Sequence, residues 1–223
     1  MPVENGPGRS EVPVITVVSG LPRSGTSLMM RILQEAGLPP LTDWVRPADG
    51  DNPYGYFEHQ GARQLPQGHV DWLEQAPGMA VKVVAPLLHF LPEHYRYRIV
   101  LMRRNMEEIL ASQRIMLQHR QQPDGPLSDA EMAELYDATI KQVVQWVEGQ
   151  PHLTMAQINY NELVTDAHQA LAPLETVLGP GLDRQGLAQL VDPDLYRQRR
   201  GTCLDGDESQ PHRDQPAARR RTT

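Results

Sequence analysis

The sequence predicts an α/β fold, a three-layer sandwich around a central parallel sheet, and three observations carry that prediction. The β-branched run Val14 to Ser19 is followed at once by a glycine-containing turn and by apolar residues at helical spacing. A second apolar run, Ile99 to Met102, also feeds a helical pattern. Strand-like and helix-like segments then alternate without internal repeats or a break in composition until about residue 196. This places a domain over 14–196, between a flexible N-terminus (1–13) and a disordered C-terminal tail (197–223) that is poor in apolar residues.

Taken in order, Val14 to Ser19 has the character of a buried parallel strand. Leu28, Met29, Ile32, Leu33 and Ala36 continue as a helix that Gly37 and Pro39-Pro40 end. The long segment from Leu41 to His59 mixes carboxylates, aromatics and turn residues, and it exceeds a bare connection. We expect it to wall an acceptor pocket, with Trp44, Tyr54, Tyr56 and Phe57 either in that wall or in a small core beneath the loop. Met79 to Val84 is a strand candidate that leads to Pro86. Asn105, Met106, Ile109, Leu110, Met116 and Leu117 predict a helix after the second strand. Gln121 to Pro126 is a turn, and Ser128 with Glu131 forms a capping box for a helix to Glu148. Leu153 to Ile158 is a further apolar run, and helices are expected over Ala167 to Leu178 and Leu182 to Leu190.

The stretch Gly20-Leu-Pro-Arg-Ser-Gly-Thr-Ser27 has the glycine spacing of a phosphate-binding P-loop. It departs at one position, because Thr26 stands where a nucleotide triphosphatase needs lysine and the cation has moved to Arg23. In a strand-loop-helix setting, the backbone N–H groups of about residues 23–27 surround an anion at the positive end of the helix dipole. Ser24, Gly25, Thr26 and Ser27 are therefore cofactor-binding candidates. Arg23 adds a fork of donors suited to tetrahedral oxyanions. Arg103 and Arg104 stand at a second strand-to-helix junction, and Ser112 lies about two helical turns beyond Asn105, within reach of an anion gripped there.

Leu21-Pro-Arg-Ser-Gly-Thr-Ser-Leu28 resembles the 5′-phosphosulfate loop of the PAPS-dependent sulfotransferases, which reads Pro-Lys/Arg-Ser-Gly-Thr-Thr/Ser in that family. The arginine form is most similar to tyrosylprotein and several carbohydrate-type and bacterial members. Arg104 and Ser112 reproduce the spacing of the arginine and serine that hold the 3′-phosphate of PAPS, and Asn159 to Asp166 is a weaker echo of the family's Tyr-Glu-Asp-Leu segment, with Tyr160 structural. The resemblance covers about residues 14–180. It implies a P-loop sulfotransferase fold, resembling the nucleoside-triphosphate hydrolases, with 3′-phosphoadenosine 5′-phosphosulfate (PAPS) as donor and no metal requirement. It aligns Lys82 with a family lysine but puts Val84 where the cytosolic enzymes have a catalytic histidine, and no Gly-Asp-Trp-Lys segment is present. In the tyrosylprotein enzymes a glutamate after the first helix takes the acceptor proton and an arginine follows it. By that resemblance Asp43, followed by Arg46, is favoured as the base over Glu58, with Arg23 and Lys82 completing the catalytic set.

Composition fits a compact enzyme. The net charge of −7 argues against a nucleic-acid or anionic-membrane surface. No apolar run approaches the roughly 20 residues of a membrane span. Residues 1–13 lack the pattern of a secretory signal, and the expectation is a cytoplasmic protein. The single cysteine, Cys203, excludes an intramolecular disulfide, and the histidines lack ligand spacing. The acceptor, a small molecule or a biopolymer, is not legible. The alternatives are an atypical P-loop kinase of a small metabolite and a non-catalytic nucleotide-binding module. Arg197, Arg199 and Arg200 stand where basic C-terminal loops of the family reach the 3′-phosphate, but the reading favoured for them is an ordinary solvated charge run.

Overall fold

The computed structural model describes residues 13–50, 52–123, 125–192 and 196. Except for Pro13, the expected terminal segments lie outside the described residues, as do Cys203 and the arginines at 197, 199 and 200.

Among the described residues four strands make one wholly parallel sheet: β1 (Val14–Gly20), β2 (Ala80–Lys82), β3 (Arg96–Arg103) and β4 (Leu153–Asn159), in the order β2-β1-β3-β4. Val17 pairs with Val81 on one side and with Ile99 on the other, and Ile99 pairs with Met155. Because side chains alternate along a strand, β1 and β3 supply two cores. Ile15, Val17, Ile99 and Leu101 face one, and Val18, Val100 and Met102 face the other.

Each face is covered by the helices that the chain order dictates. Helix α1 (Thr26–Glu35) buries Met29, Met30, Ile32 and Leu33 against the Val18 face. Helices α3 (Met106–His119) and α4 (Asp129–Glu148) pack Ile109, Ile140, Val143 and Val147 on the opposite face. Between α1 and α3 in sequence lies the short helix α2 (Gln60–Arg63). The chain after β4 returns to the α1 face as α5 (Tyr160–Leu163), α6 (Ala167–Ala170), α7 (Leu174–Leu178) and α8 (Arg184–Ala188). The three-layer architecture expected from the sequence is the one observed.

The differences in detail have local causes. The helix expected over Ala167 to Leu178 is broken, because Pro173 has no N–H to continue the ladder and its ring obstructs the preceding turn. The expected Met79–Val84 strand pairs only over Ala80–Lys82, since the 3₁₀ turn of Ala85–Phe90, with Pro86 in its first turn, ends it. Helix α4 starts with the expected box: Ser128 Oγ accepts from Glu131 N–H, and the Glu131 carboxylate accepts from Ser128 N–H at 2.8 Å. Among the described residues no helix is long and apolar enough to cross a membrane.

Two contacts place the segment that follows α1. Ala80 N–H donates to Pro39 O and Leu41 N–H to Ala80 O, both at 2.9 Å or less. The chain is thereby fixed beside β2 before it enters the long loop, so that loop stands at the C-terminal ends of β1 and β2. Ligands of open α/β sheets bind at that edge.

Candidate active site

Strand β1 ends at Gly20, whose φ of +149° suits glycine and where a Cβ would lie 2.5 Å from Ser24 Oγ and 2.9 Å from Met102 O. The chain can turn sharply there only because no side chain is present. Ser24 is buried and donates its hydroxyl to Leu21 O at 2.7 Å, and its N–H goes to the same carbonyl. It builds the turn and does not line the cavity beside it. Gly25 has φ +97°, and a Cβ would meet the Tyr160 ring at 2.4 Å. The first turn of α1 therefore starts directly over Tyr160, with N–H groups that have no carbonyl partner inside the helix.

Arg23, Gly25, Thr26 and Ser27 line one cavity of about 460 Å³ together with Lys82, Arg104 and Ser112. Arg23 holds a left-handed backbone, φ +68°, which costs a residue with a Cβ and persists where its surroundings impose it. Two bonds do so here. Its Nε donates to buried Ser112 Oγ at 2.8 Å, and its carbonyl accepts from Arg104 Nη1 at 3.0 Å. The two sequence-distant candidate anion motifs are thus joined directly.

Ser27 Oγ accepts from Lys82 Nζ at 3.0 Å and from Asn52 Nδ2 at 2.9 Å. With both lone pairs engaged, its own O–H is left to donate. Lys82 also donates to Tyr56 O at 2.8 Å. Burial pulls the Lys82 ammonium from the ordinary 10.5 down to about 8; Glu58 opposes the fall and Arg46 and Arg23 add to it.

At the other end Arg104 is nearly buried against Glu108, Nε to Oε2 at 3.0 Å. Glu108 also accepts from Asn161 Nδ2 at 2.9 Å and from the Tyr196 hydroxyl. The Arg104 guanidinium lies 4.5 Å from the Tyr160 ring centre. A wider open groove of about 1150 Å³ runs past Arg104 and Tyr196 along the ends of β3 and β4.

The two carboxylates considered as base occupy different positions. Glu58 lines the cavity, where Arg46 Nη1 reaches Oε1 at 2.9 Å and Arg63 Nη2 reaches Oε2 at 2.8 Å. Asp43 does not line it. Its carboxylate accepts from the N–H groups of Val45 and of Gln60, the first residue of α2, at 3.2 and 2.6 Å. Although burial pushes its carboxyl upward, those donors and the nearby His59 hold it below the usual range. The loop therefore uses Asp43 as a turn and helix cap. Tyr56 and Phe57 are buried under the same loop, whereas Trp44 and Tyr54 are exposed.

Sequence reasoning missed Asn52, Glu108, Asn161 and Tyr196. Glu108 carried a usable signal, since Arg104 and Glu108 stand four apart on a helix, where opposite charges meet. Asn52 is brought in by a loop whose path no periodicity encodes, and Asn161 by the first turn of α5. Among the described residues no group of three or more His, Cys, Asp or Glu side chains could hold a metal ion.

No family model and no curated protein matches this sequence. Among solved structures the chain is similar to the sulfotransferase domain from the curacin biosynthetic pathway, with 17% identity and a TM-score of 0.47 over 83% of this chain and 80% of that one. It is also similar to retinol dehydratase in complex with androsterone and inactive cofactor PAP (15%, 0.44, 81% of this chain and 63% of that one) and to mouse sulfotransferase SULT7A1 complexed with PAP (16%, 0.43, 80% and 62%). The chain spans less than two thirds of the length of the last two. The choice of a reaction rests on the cavity's own residues.

Proposed function

We propose that the chain is a sulfotransferase that moves a sulfuryl group from PAPS to a hydroxyl or amine acceptor. One observation carries the reading: the lysine-free P-loop and the Arg104–Ser112 pair line a single cavity and are joined through Arg23. A donor with phosphates on both its 5′ and 3′ sides matches that arrangement. A triphosphate would leave the Arg104 end without a role. The residues fit the donor chemically, since arginines suit tetrahedral oxyanions and Thr26 removes the ammonium that a P-loop triphosphatase uses.

When bound, PAPS supplies an activated sulfur whose bond to the bridging phosphate oxygen breaks in line as the acceptor oxygen bonds to it, leaving adenosine 3′,5′-bisphosphate (PAP). The protein's part is to align and to stabilise charge. Arg23, the first-turn N–H groups, Thr26 and the Ser27 hydroxyl bind the phosphosulfate oxygens. Lys82 in its ammonium form stabilises charge gathering on the leaving phosphate. Arg104 and Ser112 hold the 3′-phosphate, with Glu108 fixing the guanidinium. Glu58 takes the acceptor proton, a role worth about 10² to 10⁴ in rate, and Arg46 and Arg63 aim its carboxylate. Asp43, the base favoured by resemblance, supports this arrangement by shaping the loop.

The kinase reading retains one favourable feature, because Lys82 brings an ammonium to Ser27 from β2. Incubation with ³⁵S-labelled PAPS and a panel of phenols, alcohols and amines separates the readings. The proposal expects metal-independent label transfer that Glu58→Gln reduces by about a hundredfold or more. Phosphoryl transfer from ATP–Mg²⁺ with no sulfuryl transfer would replace it with the kinase.

A further inference from the structure

The donor reading accounts for Arg23, Lys82 and Arg104. It leaves Arg31, Arg46, Arg63 and Arg120 lining the same cavity. The carboxylates lining it among the described residues are Glu58 and Asp192, within a chain whose net charge is −7. A cation-rich wall is therefore a local feature and not a consequence of a basic protein.

The arginines differ in what they already hold. Arg46 and Arg63 share Glu58. Arg120 reaches Asp49 at 3.7 Å. Arg31 forms no ion pair and no hydrogen bond with any described residue; its guanidinium lies 3.9 Å from the Tyr54 ring centre, and its Nη1 is buried without a hydrogen-bond partner. Arg46 Nη2 is likewise buried and unpartnered, with the guanidinium 3.2 Å from the centre of the Tyr56 ring. Buried charged donors without partners are costly and rare in native proteins. Both residues line the cavity: Arg46 is paired with Glu58, and Arg31 stands on α1 beyond Ser27, which Lys82 of β2 reaches.

Position sets what they can bind. Arg31 follows Ser27 by four residues and shares its helix face, about 6 Å farther along the axis. Val84, Leu87, Ile115 and Met116 supply apolar walls. Resting on the sulfotransferase reading, we infer that the acceptor is an anion: a hydroxyl compound carrying a carboxylate, sulfonate or phosphate group about one helical turn from the reacting oxygen, held by Arg31 and Arg46 across a short apolar spacer. Guanidinium forks favour such oxyanions, and the flanking tyrosine rings leave the charges poorly solvated until one arrives.

The test loads the protein with saturating PAP and titrates it by calorimetry with 4-hydroxyphenylpropionate, its methyl ester and 4-hydroxybenzenesulfonate. At least one anion should bind about ten- to hundredfold more tightly than the ester, as a charge-assisted contact implies, and the stronger of the two names the preferred oxyanion. Arg31→Gln should bring that ratio toward one, and Arg31→Lys should retain part of it. Equal affinity for acid and ester, or no saturable anion binding to the PAP-loaded protein, overturns the inference while the donor reading stands. A loss of PAP affinity of more than about tenfold in Arg31→Gln, on the scale of a charged contact, would assign Arg31 to the donor and also overturn it. Failure of PAP to bind the unaltered protein is a separate result that removes both readings.

Discussion

Replacing Lys82 by methionine should flatten the pH dependence of stability, and the size of the effect follows from where the ammonium sits. Burial lowers its pKa from 10.5 to about 8 in the folded chain, so between those values the unfolded state binds more protons. Stability must then rise with pH through that window, while below about pH 8 the penalty is constant at about 3 kcal/mol. From about pH 7 to about pH 9.5 the recovered part is about 2 kcal/mol. Methionine keeps the length, removes the charge and leaves Tyr56 O without its donor, a loss of about 1–3 kcal/mol that does not vary with pH. Urea unfolding across this range should show the rise in the parent protein and not in Lys82→Met. Working below pH 10 avoids Tyr97 and Tyr160, whose phenols burial holds above the usual range. A direct NMR titration of the Lys82 ammonium gives the same quantity independently. Identical pH profiles in the two proteins, or a Lys82 that titrates near 10.5 in the folded chain, would refute the reasoning. If PAP draws on this ammonium, its affinity should also weaken above about pH 8 in the parent protein, a fall that calorimetry would detect.

Asp43→Ala should retain most transfer activity while lowering stability by about 1 kcal/mol, as loss of a capping acceptor does; a hundredfold loss of kcat would return Asp43 to the role of base. Arg104→Ala should destabilise by about 3–5 kcal/mol because it removes the Arg104 cation from the buried Glu108 carboxylate. Adding Glu108→Gln should recover much of that stability without recovering PAP affinity, and recovery of both would show that Arg104 does not hold the donor. Gly25→Ala places a Cβ 2.4 Å from the Tyr160 ring at φ +97°. PAP binding should be lost, and unchanged calorimetric affinity would contradict the described loop.

The architecture was legible because both of its signals are local. The apolar runs Val14 to Ser19 and Ile99 to Met102 mark two buried strands with two faces each, and the helices that follow must cover them. The glycine turn of the P-loop motif was legible for the same reason, its geometry being set by consecutive residues. The base was harder to place. Asp43 and Glu58 lie on one irregular loop whose path depends on the Pro39–Ala80 contacts, on Asn52 reaching Ser27 and on Lys82 holding Tyr56 O. None of these is periodic, so the sequence offered two carboxylates and the geometry separates them. Pro173 illustrates the opposite error, a local signal that was overlooked inside an otherwise helical pattern.

The central claim, that one cavity holds both phosphate ends of a PAPS-type nucleotide without metal, is tested most directly by ligand-dependent unfolding in EDTA. PAP at about 100 times its dissociation constant should add about 2.7 kcal/mol to the unfolding free energy, and Arg104→Ala/Glu108→Gln should reduce that gain at the same PAP concentration. No stabilisation by PAP in EDTA, with stabilisation by ATP–Mg²⁺ instead, would contradict the account.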